Sequence, residues 1–444
     1  MTKTNITYRR IWQVAYPIIL GSVAQNLIVF TDTAFLGRVG EIALGASAIG
    51  GLFYLAVIML GLGFGTGAQI IIARRLGEGK LKEIGEIVIH SIIFLILLAA
   101  FAFVILEFAS VEILKYVIKS NAIYLGAVDF LQIRAFGIFF AFINITIRSF
   151  YVGIAQTKVI TYTTIVLAAV NIVFDYALIF GNLGLPEMGI RGAALASVIA
   201  EVSALIFFVL YTFSIVDYRR YDLFCFAKFR WYKLQKIFKV SIPMMIQQFV
   251  SLSVWFAFFL FVEKIGEMAL AVSNIIRSIY VLAMVPIWGF ATATNTLVSY
   301  LIGQLRQDEV IALIYKIATL SFVSVLTIVS AGLFFPRIIM EIYTNNPELI
   351  EMGVPALYVV SIGALLLSVG FVMHSGVSGT GKTNVSLSIE MIVLLLYLSY
   401  TYTVIFVFKS NVTGAWTAEI VYGLFLTVVS LSYLKFYKWQ KSAI

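Results

Sequence analysis

The sequence predicts an all-α membrane protein whose twelve transmembrane helices form two pseudo-symmetric six-helix bundles. Composition is the first reason, because 61% of the 444 residues are hydrophobic and only 12% are charged, more apolar surface than a soluble core can bury. The second reason is a series of apolar stretches of about 20 residues or more, the length that a bilayer requires. The third is an internal repeat at a spacing of 226 residues, as between Pro17 and Pro243, which is typical of transporters.

Helices explain the apolar stretches better than β-strands do, because the stretches are long and do not alternate with a period of two residues. Several exceed the minimum length, so we expect tilted or kinked helices. The first half has predicted spans at 11–36, 43–74, 86–107, 121–152, 158–182 and 189–214. The second half has predicted spans at 237–262, 268–302, 308–335, 352–378, 384–408 and 412–435.

The repeat matches the two halves without gaps. The segment 40–44 corresponds to 266–270, and much later Gly153 and Thr157 correspond to Gly379 and Thr383. Because each half holds six spans, the duplication is parallel, and a cavity between the two bundles is the natural substrate site. The predicted domains are an N-terminal lobe at 1–214, a cytoplasmic linker at 215–236 and a C-terminal lobe at 237–444.

The net charge of +9 does not indicate nucleic-acid binding, because the basic residues collect in a few connecting segments. These segments are the loop after the second span, the linker 215–236 and the C-terminal tail. Basic residues mark the cytoplasmic side of membrane proteins. We therefore predict a multi-pass protein of the cell (plasma, or bacterial inner) membrane with both termini in the cytoplasm. The first apolar run extends past Gly37, which favours a first span over a cleaved signal peptide.

Cysteine and histidine are scarce in this chain. Cys225 is the single cysteine, and His90 and His374 are the two histidines. This usage excludes an intrachain disulfide and disfavours a zinc or haem site. We expect no cofactor and no resident metal.

Two membrane acids break the symmetry of the repeat. Asp32 corresponds to Phe258, and Asp175 corresponds to Thr401. An ionisable group within a span is costly and usually faces a cavity or a partner. Asp32 precedes Gly37 by five residues and Asp175 precedes Gly181 by six, so both are expected roughly 8–9 Å below the outer boundary. At one depth, the two carboxylates could share a cavity.

Such a pair could hold a proton near neutral pH. With Asn171, one turn before Asp175, and a hydroxyl group, it could instead bind Na+ through oxygen ligands. Gln25, two turns before Asp32, could extend the polar lining. Alternatively, Asp32 is only a capping or interfacial residue. Glu201 could join a proton relay or form a structural pair with Arg134 or Arg148.

The second half offers a candidate substrate surface near its first span. Flexible Met and aromatic side chains tolerate varied apolar ligands, although ordinary core or lipid-facing packing explains them as well. The candidate cleft residues are Met244, Gln247, Gln248 and Phe256.

Four sequence motifs can be compared with known families. They are Thr31-Asp32-Thr33-Ala34-Phe35-Leu36-Gly37-Arg38, Gly153-Ile154-Ala155-Gln156-Thr157-Lys158, Asn171 with Asp175, and Pro186-Glu187-Met188-Gly189-Ile190-Arg191-Gly192. Together these motifs resemble the multidrug and toxic compound extrusion (MATE) family of transporters. The Asp-Thr-Ala element at 32–34 resembles the DinF-type branch of that family.

The resemblance implies two six-helix lobes around a central cleft. It also implies roles for single residues. Asp32 matches the key ion-coupling aspartate of the DinF-type branch, Asn171 and Asp175 match a pair in the fifth span, and Ser197 loosely matches a hydroxyl residue of the sixth. Ser251 and Leu367 stand where the NorM-type branch has acids, which disfavours coupling through the second lobe. Ile28 replaces a tyrosine of some relatives, which weakens the transfer of their detailed proton relay.

The expected function is that of a monomeric secondary active antiporter, not an enzyme. It would export cationic or amphipathic small molecules across the lipid bilayer by alternating access, in exchange for H+ or Na+. One alternative is a lipid-linked sugar flippase of the same fold, which would favour a cleft lined by Arg and Lys. Another is a membrane-embedded lipid-modifying enzyme, which would need a cluster of acids or histidines at the interface. The sequence does not choose between H+ and Na+.

Overall fold

A computed structural model describes residues 6–223 and 229–440. Within them lie twelve helices that are long and apolar enough to cross a membrane, which confirms the predicted fold class. Cys225, in the predicted linker, lies outside the described residues. The helices are α1 (Tyr8–Val39), α2 (Glu41–Glu78), α3 (Leu81–Val117), α4 (Asn121–Gly153), α5 (Lys158–Phe180), α6 (Gly189–Ile215), α7 (Trp231–Glu263), α8 (Glu267–Gly303), α9 (Gln307–Phe334), α10 (Pro347–Gly379), α11 (Thr383–Val407) and α12 (Val412–Phe436).

Short elements connect or interrupt these helices. A helix at Pro336–Tyr343 lies between α9 and α10, and a 3₁₀ turn at Tyr218–Tyr221 follows α6. Turns of π-helix occur at Ile105–Ala109 in α3 and at Thr403–Val407 in α11. Such turns hold one extra residue per turn and locally redirect the side chains that follow.

A glycine stands directly before the second helix of each half. Gly40 stands between α1 and α2, and Gly266 stands just before α8; both have φ of 142°. An L side chain is strained at this φ, whereas glycine adopts it freely. The repeat at 40–44 and 266–270 therefore encodes the same sharp break in both halves.

The chain forms two compact units that are not simply its two halves. The unit called here the N unit is Leu20–Met245, and the C unit is Met1–Ile19 together with Ile246–Ile444. The divisions fall inside α1 and α7, two residues after Pro17 and Pro243. Proline removes one backbone hydrogen bond and bends a helix, which suits a point where a helix passes from one unit to the other. The lobes at 1–214 and 237–444 stay a prediction.

The two units use the same packing pattern. In the N unit, α2, α3 and α6 pack against α4, and α5 packs against α6. In the C unit, α8, α9 and α12 pack against α10, and α11 packs against α12. The repeat thus appears as equivalent helix pairs.

Individual contacts repeat as well. Gly153 packs against Ile72 and the Gln69 carbonyl, and Gly379 packs against Val298 and the Asn295 carbonyl. These glycines let α4 approach α2, and α10 approach α8, more closely than a side chain would allow.

The start of α7 belongs to the N unit and the start of α1 belongs to the C unit. In the N unit, Phe238 meets Phe64 edge-on with ring centroids 6.4 Å apart. In the C unit, the equivalent Trp12 meets Phe290 with centroids 5.9 Å apart. In the N unit, the start of α7 therefore packs against α2. In the C unit, the start of α1 packs against α8 in the same way.

Candidate functional site

The predicted polar cluster lies in the N unit, on α1 and α5. Asn171 and Asp175 are one turn apart on the same face of α5 and are 1% and 0% exposed. Asp32 is half-buried on α1. The structure brings these three side chains together, because Asp32 interacts with both Asp175 and Asn171.

Packing between α1 and α5 explains why the two aspartates share one depth. Leu36, one turn after Asp32, lies in the same buried apolar cluster as Ile179, one turn after Asp175. Beside them, the rings of Phe35 and Phe180 meet edge-on at 5.7 Å.

At the other end of α5, Gly21 of α1 lies beside Ile160 and Thr164. A Cβ added at Gly21 would stand 3.3 Å from the side chains of both residues. The two helices therefore run alongside each other from Gly21 to Leu36. Apolar contacts and a close glycine approach hold the polar cluster in register.

The polar atoms of this cluster are poorly satisfied by the protein. Oδ1 of Asp32, both carboxyl oxygens of Asp175 and both amide atoms of Asn171 are buried and have no hydrogen-bond partner of acceptable geometry in the described part of the chain. A buried unsatisfied polar group costs about 1–3 kcal/mol, and more when it is charged. Oxygen atoms held in this state are suited to a proton or to a small hard cation.

Gln25 and Ser197 are less clearly connected to the cluster. Gln25 is exposed on α1, and Ser197 is half-buried on α6. Neither is among the described side chains that interact with Asp32 or Asp175. Their roles stay predictions.

A buried ion pair lies next to the cluster. The Arg134 guanidinium binds the Glu201 carboxylate with two parallel hydrogen bonds of 3.0 and 2.7 Å. Tyr54 donates a further bond of 3.2 Å to Glu201, and its ring lies 4.0 Å beneath the guanidinium carbon. Arg134 also interacts electrostatically with Asp32. Of the two partners considered for Glu201, the structure selects Arg134.

Gly137 makes room for this ion pair. A Cβ at this position would lie 2.5 Å from both Arg134 Nη1 and Glu201 Oε2. Tyr54 is a residue that sequence reasoning missed, although the repeat carried a signal. Its equivalent, Tyr280, donates a 2.9 Å hydrogen bond to another buried acid, Glu419.

The predicted substrate residues on α7 have different surroundings. Met244 is buried in the N unit, and Gln248 is half-buried in the C unit. Phe256, in the C unit, is 45% exposed. Gln247 is buried and hydrogen-bonded to His374, a partner that sequence reasoning did not identify. The cleft assignment stays a prediction.

Comparison with a family model matches both halves of the chain. The model described as MatE covers residues 17–177 and 243–403. The two matched segments have the same spacing as the internal repeat.

Curated relatives match over most of the chain. A "Probable multidrug resistance protein NorM" of Thermotoga maritima is 24% identical over 435 residues, which cover 97% of this chain and 93% of the relative. A protein of the same description from Agrobacterium fabrum is 27% identical over 290 residues, which cover 65% of this chain and 62% of the relative.

Solved structures share the fold. An outward-facing multidrug resistance MATE family transporter of the MOP superfamily superposes with a TM-score of 0.88 at 20% identity, covering 96% of this chain and 95% of that one. A MOP superfamily transporter from Pyrococcus furiosus, whose binding pocket is described as having reverse polarity, gives a TM-score of 0.86 at 20% identity, with the same coverage.

Proposed function

The chain belongs to the MatE family, and from this premise we propose that it is a secondary active multidrug antiporter. It exports cationic or amphipathic organic compounds in exchange for H+ or Na+ by alternating access. The multidrug resistance descriptions of its relatives support the substrate class. The observation that carries the proposal is the buried, unsatisfied cluster of Asp32, Asn171 and Asp175.

The cluster couples ion binding to conformation through electrostatics. Two ionised carboxylates close together in an apolar bundle repel each other and lack hydrating water. A proton or a Na+ ion relieves both costs. Ion binding shifts the balance between two conformations only if they bind the ion with different affinity. Transport thus requires the cluster to be arranged differently in the two states.

Binding of the coupling ion belongs to the N unit in this proposal, and the equivalent positions of the C unit support that assignment. Phe258, which stands in place of Asp32, is fully buried and meets Trp416 edge-on at 5.0 Å. Thr401, in place of Asp175, donates its hydroxyl proton to the Tyr397 carbonyl of its own helix at 2.8 Å. Aromatic packing and a self-satisfied hydroxyl leave these positions without ion ligands.

We also propose that the chain is of the DinF-type branch, that both termini are cytoplasmic and that the protein is monomeric. The Asp-Thr-Ala element at 32–34 supports the DinF-type branch. The basic segment where α2 ends and α3 begins, in which Arg75 pairs with Glu78 and Glu83, supports a cytoplasmic location for that segment and for both termini. The protein acts as a monomer in the cell membrane.

The decisive experiment is substrate efflux from proteoliposomes under separately imposed pH and sodium gradients. Asp32→Asn should abolish gradient-driven efflux, because it removes the charge that the ion neutralises. Asp129→Asn is the matched control, since Asp129 is a half-buried acid of α4 that is not among the interaction partners of Asp32. Wild-type efflux rates in a folded Asp32→Asn variant would refute the coupling role.

The two α5 residues provide a graded test. Asp175→Asn should weaken coupling more than Asn171→Ala, because it loses a charge as well as a ligand. The measurement is the ratio of substrate efflux with and without the driving gradient. Equal effects of the two variants would contradict a site built on paired carboxylates.

A further inference from the structure

A second buried polar cluster lies in the C unit, where α7, α10 and α11 meet. Gln247 Nε2 and Ser386 Oγ each lie 3.0 Å from Nε2 of His374. The Ser386 hydroxyl also donates a 3.2 Å hydrogen bond to Gln247 Oε1. Side chains from α7 and α11 thus converge on a single imidazole nitrogen of α10.

Glu390 extends the cluster one turn after Ser386 on α11. Its Oε1 accepts hydrogen bonds from Ser251 at 2.9 Å and from Tyr422 at 2.7 Å. Its Oε2 faces His374 Nε2 at 3.6 Å. Oε2 of Glu390 and Nδ1 of His374 have no hydrogen-bond partner among the described residues, although the two residues are only 2% and 3% exposed. A buried carboxylate oxygen in this position costs free energy unless a positive charge reaches it.

We propose that His374 and Glu390 form a second proton-binding site, which takes up one proton between the imidazole and the carboxylate. Without that proton, His374 Nε2 accepts a hydrogen bond from Gln247, and Glu390 is a charge without a counter-charge. With it, Nε2 becomes a donor toward Glu390 Oε2 and Ser386 Oγ. The pair then carries no net charge, which removes most of the cost of burying the carboxylate.

Gln247 must respond to the added proton. An amide nitrogen and a protonated Nε2 are both donors, so they cannot share a hydrogen bond at 3.0 Å. Rotation of the amide by half a turn presents its oxygen to His374 instead. One proton therefore redirects the hydrogen bonds of three helices.

Other titratable groups surround the His374–Glu390 pair. Glu390 supplies the charge that acts on His374. The next acid, Glu419, already accepts hydrogen bonds of 2.9 and 3.0 Å from two tyrosines. The titratable groups around the pair are Tyr422, Glu419, Tyr280 and Tyr397.

Gln247 connects proton uptake at this site to helix α7. Gln247 is the second residue of α7 after the division between Met245 and Ile246, where the helix leaves the N unit. Ser251, which bonds Glu390, is one turn further along the same helix. Proton uptake therefore changes how this part of α7 is held by α10 and α11. The site adds a pH-dependent control that does not depend on which ion the Asp32 cluster takes.

Histidine NMR tests the proposal directly, because the chain has two histidines. The full-length protein is labelled at histidine, reconstituted in lipid and titrated, and the His374→Gln variant assigns the signals by loss of one. We expect the His374 signal to change from the neutral to the charged form as the pH is lowered. In Glu390→Gln this change should be lost, whereas the matched control Glu419→Gln should keep it.

The second histidine monitors folding in the same spectra. His90 lies in the N unit and accepts a 3.0 Å hydrogen bond from the Arg230 backbone, so its signal should be the same in every folded variant. A wild-type His374 signal that stays in one form over the whole range would overturn the proposal without any variant. Equal titration in wild type and in Glu390→Gln, with His90 unchanged, would overturn it as well.

Discussion

The buried ion pair of the N unit allows a quantitative prediction. Glu201→Gln keeps the shape of the side chain but removes the charge that faces Arg134. Because the two side chains are only 11% and 14% exposed, the guanidinium would lose its hydrogen-bonded counter-charge in an apolar bundle. Removing one partner of a buried pair typically costs about 3–5 kcal/mol. At about 2–4 °C per kcal/mol for a unit of this size, the melting temperature should fall by about 6–20 °C.

A double variant separates the charge from other contributions. Arg134→Met combined with Glu201→Gln removes both charges, so it should be less destabilised than Glu201→Gln alone. The bond from Asn144 to the Glu201 backbone carbonyl, 2.9 Å long, is unaffected by either change. The loss in the single variant therefore reports on the charge.

The assay is thermal unfolding followed by tryptophan fluorescence in one detergent. Glu341→Gln is the matched control, because the Arg337–Glu341 pair has side chains 68% and 51% exposed. An exposed pair is worth about 0–1 kcal/mol, so the control should melt close to wild type. The reasoning would be refuted if Glu201→Gln melted as the control does, or if the double variant lost as much stability as the sum of its singles.

Two further predictions concern packing and orientation. Gly63→Ala should destabilise the protein by about 1–3 kcal/mol, because its added Cβ would lie 2.5 Å from the Met245 backbone. The control Gly51→Ala should be tolerated, because no atom lies within 4 Å of its added Cβ. Equal melting temperatures for the two variants would contradict this prediction. The basic linker is proposed to be cytoplasmic, so Cys225 should not react with a membrane-impermeant thiol reagent in intact cells but should react in inverted vesicles. Labelling of Cys225 in intact cells would contradict the proposed orientation.

The repeat makes the steric prediction sharper. Gly289 is the equivalent of Gly63, but the nearest atom to its added Cβ is Cγ1 of Ile19, at 2.4 Å, which belongs to a side chain. A side chain can change rotamer, whereas the backbone of Met245 can move only with its helix. Gly289→Ala should therefore destabilise the protein less than Gly63→Ala, as measured in the same unfolding assay.

The sequence was sufficient for the architecture because lipid imposes a simple, local rule. A span needs about 20 apolar residues with all backbone hydrogen bonds made internally, so twelve helices could be counted along the chain. The gap-free repeat predicted equivalent contacts, and the structure has them at Gly153 and Gly379. The meeting of Asp32 and Asp175 also followed from local information, since helical rise converts residue number into depth.

Tertiary packing decided where the units divide and which polar side chains pair, and no local rule predicts either. Hydrophobicity marks α1 and α7 as continuous spans. Only their contacts with other helices show that α1 divides between the two units after Ile19 and that α7 divides after Met245. Two arginines were possible partners for Glu201, and the space at Gly137 together with the ring of Tyr54 favours Arg134.

Gln247 shows the same limit at a single side chain. Its sequence context on α7 suggested a cleft residue, yet it bonds His374, which is 127 residues away in the chain. Polar side chains choose partners by distance and direction across helices that are remote in sequence, and a buried atom without a partner costs about 1–3 kcal/mol. The sequence by itself therefore determined which helices exist and which polar residues enter the membrane, while the packing of distant helices determined which of those residues meet.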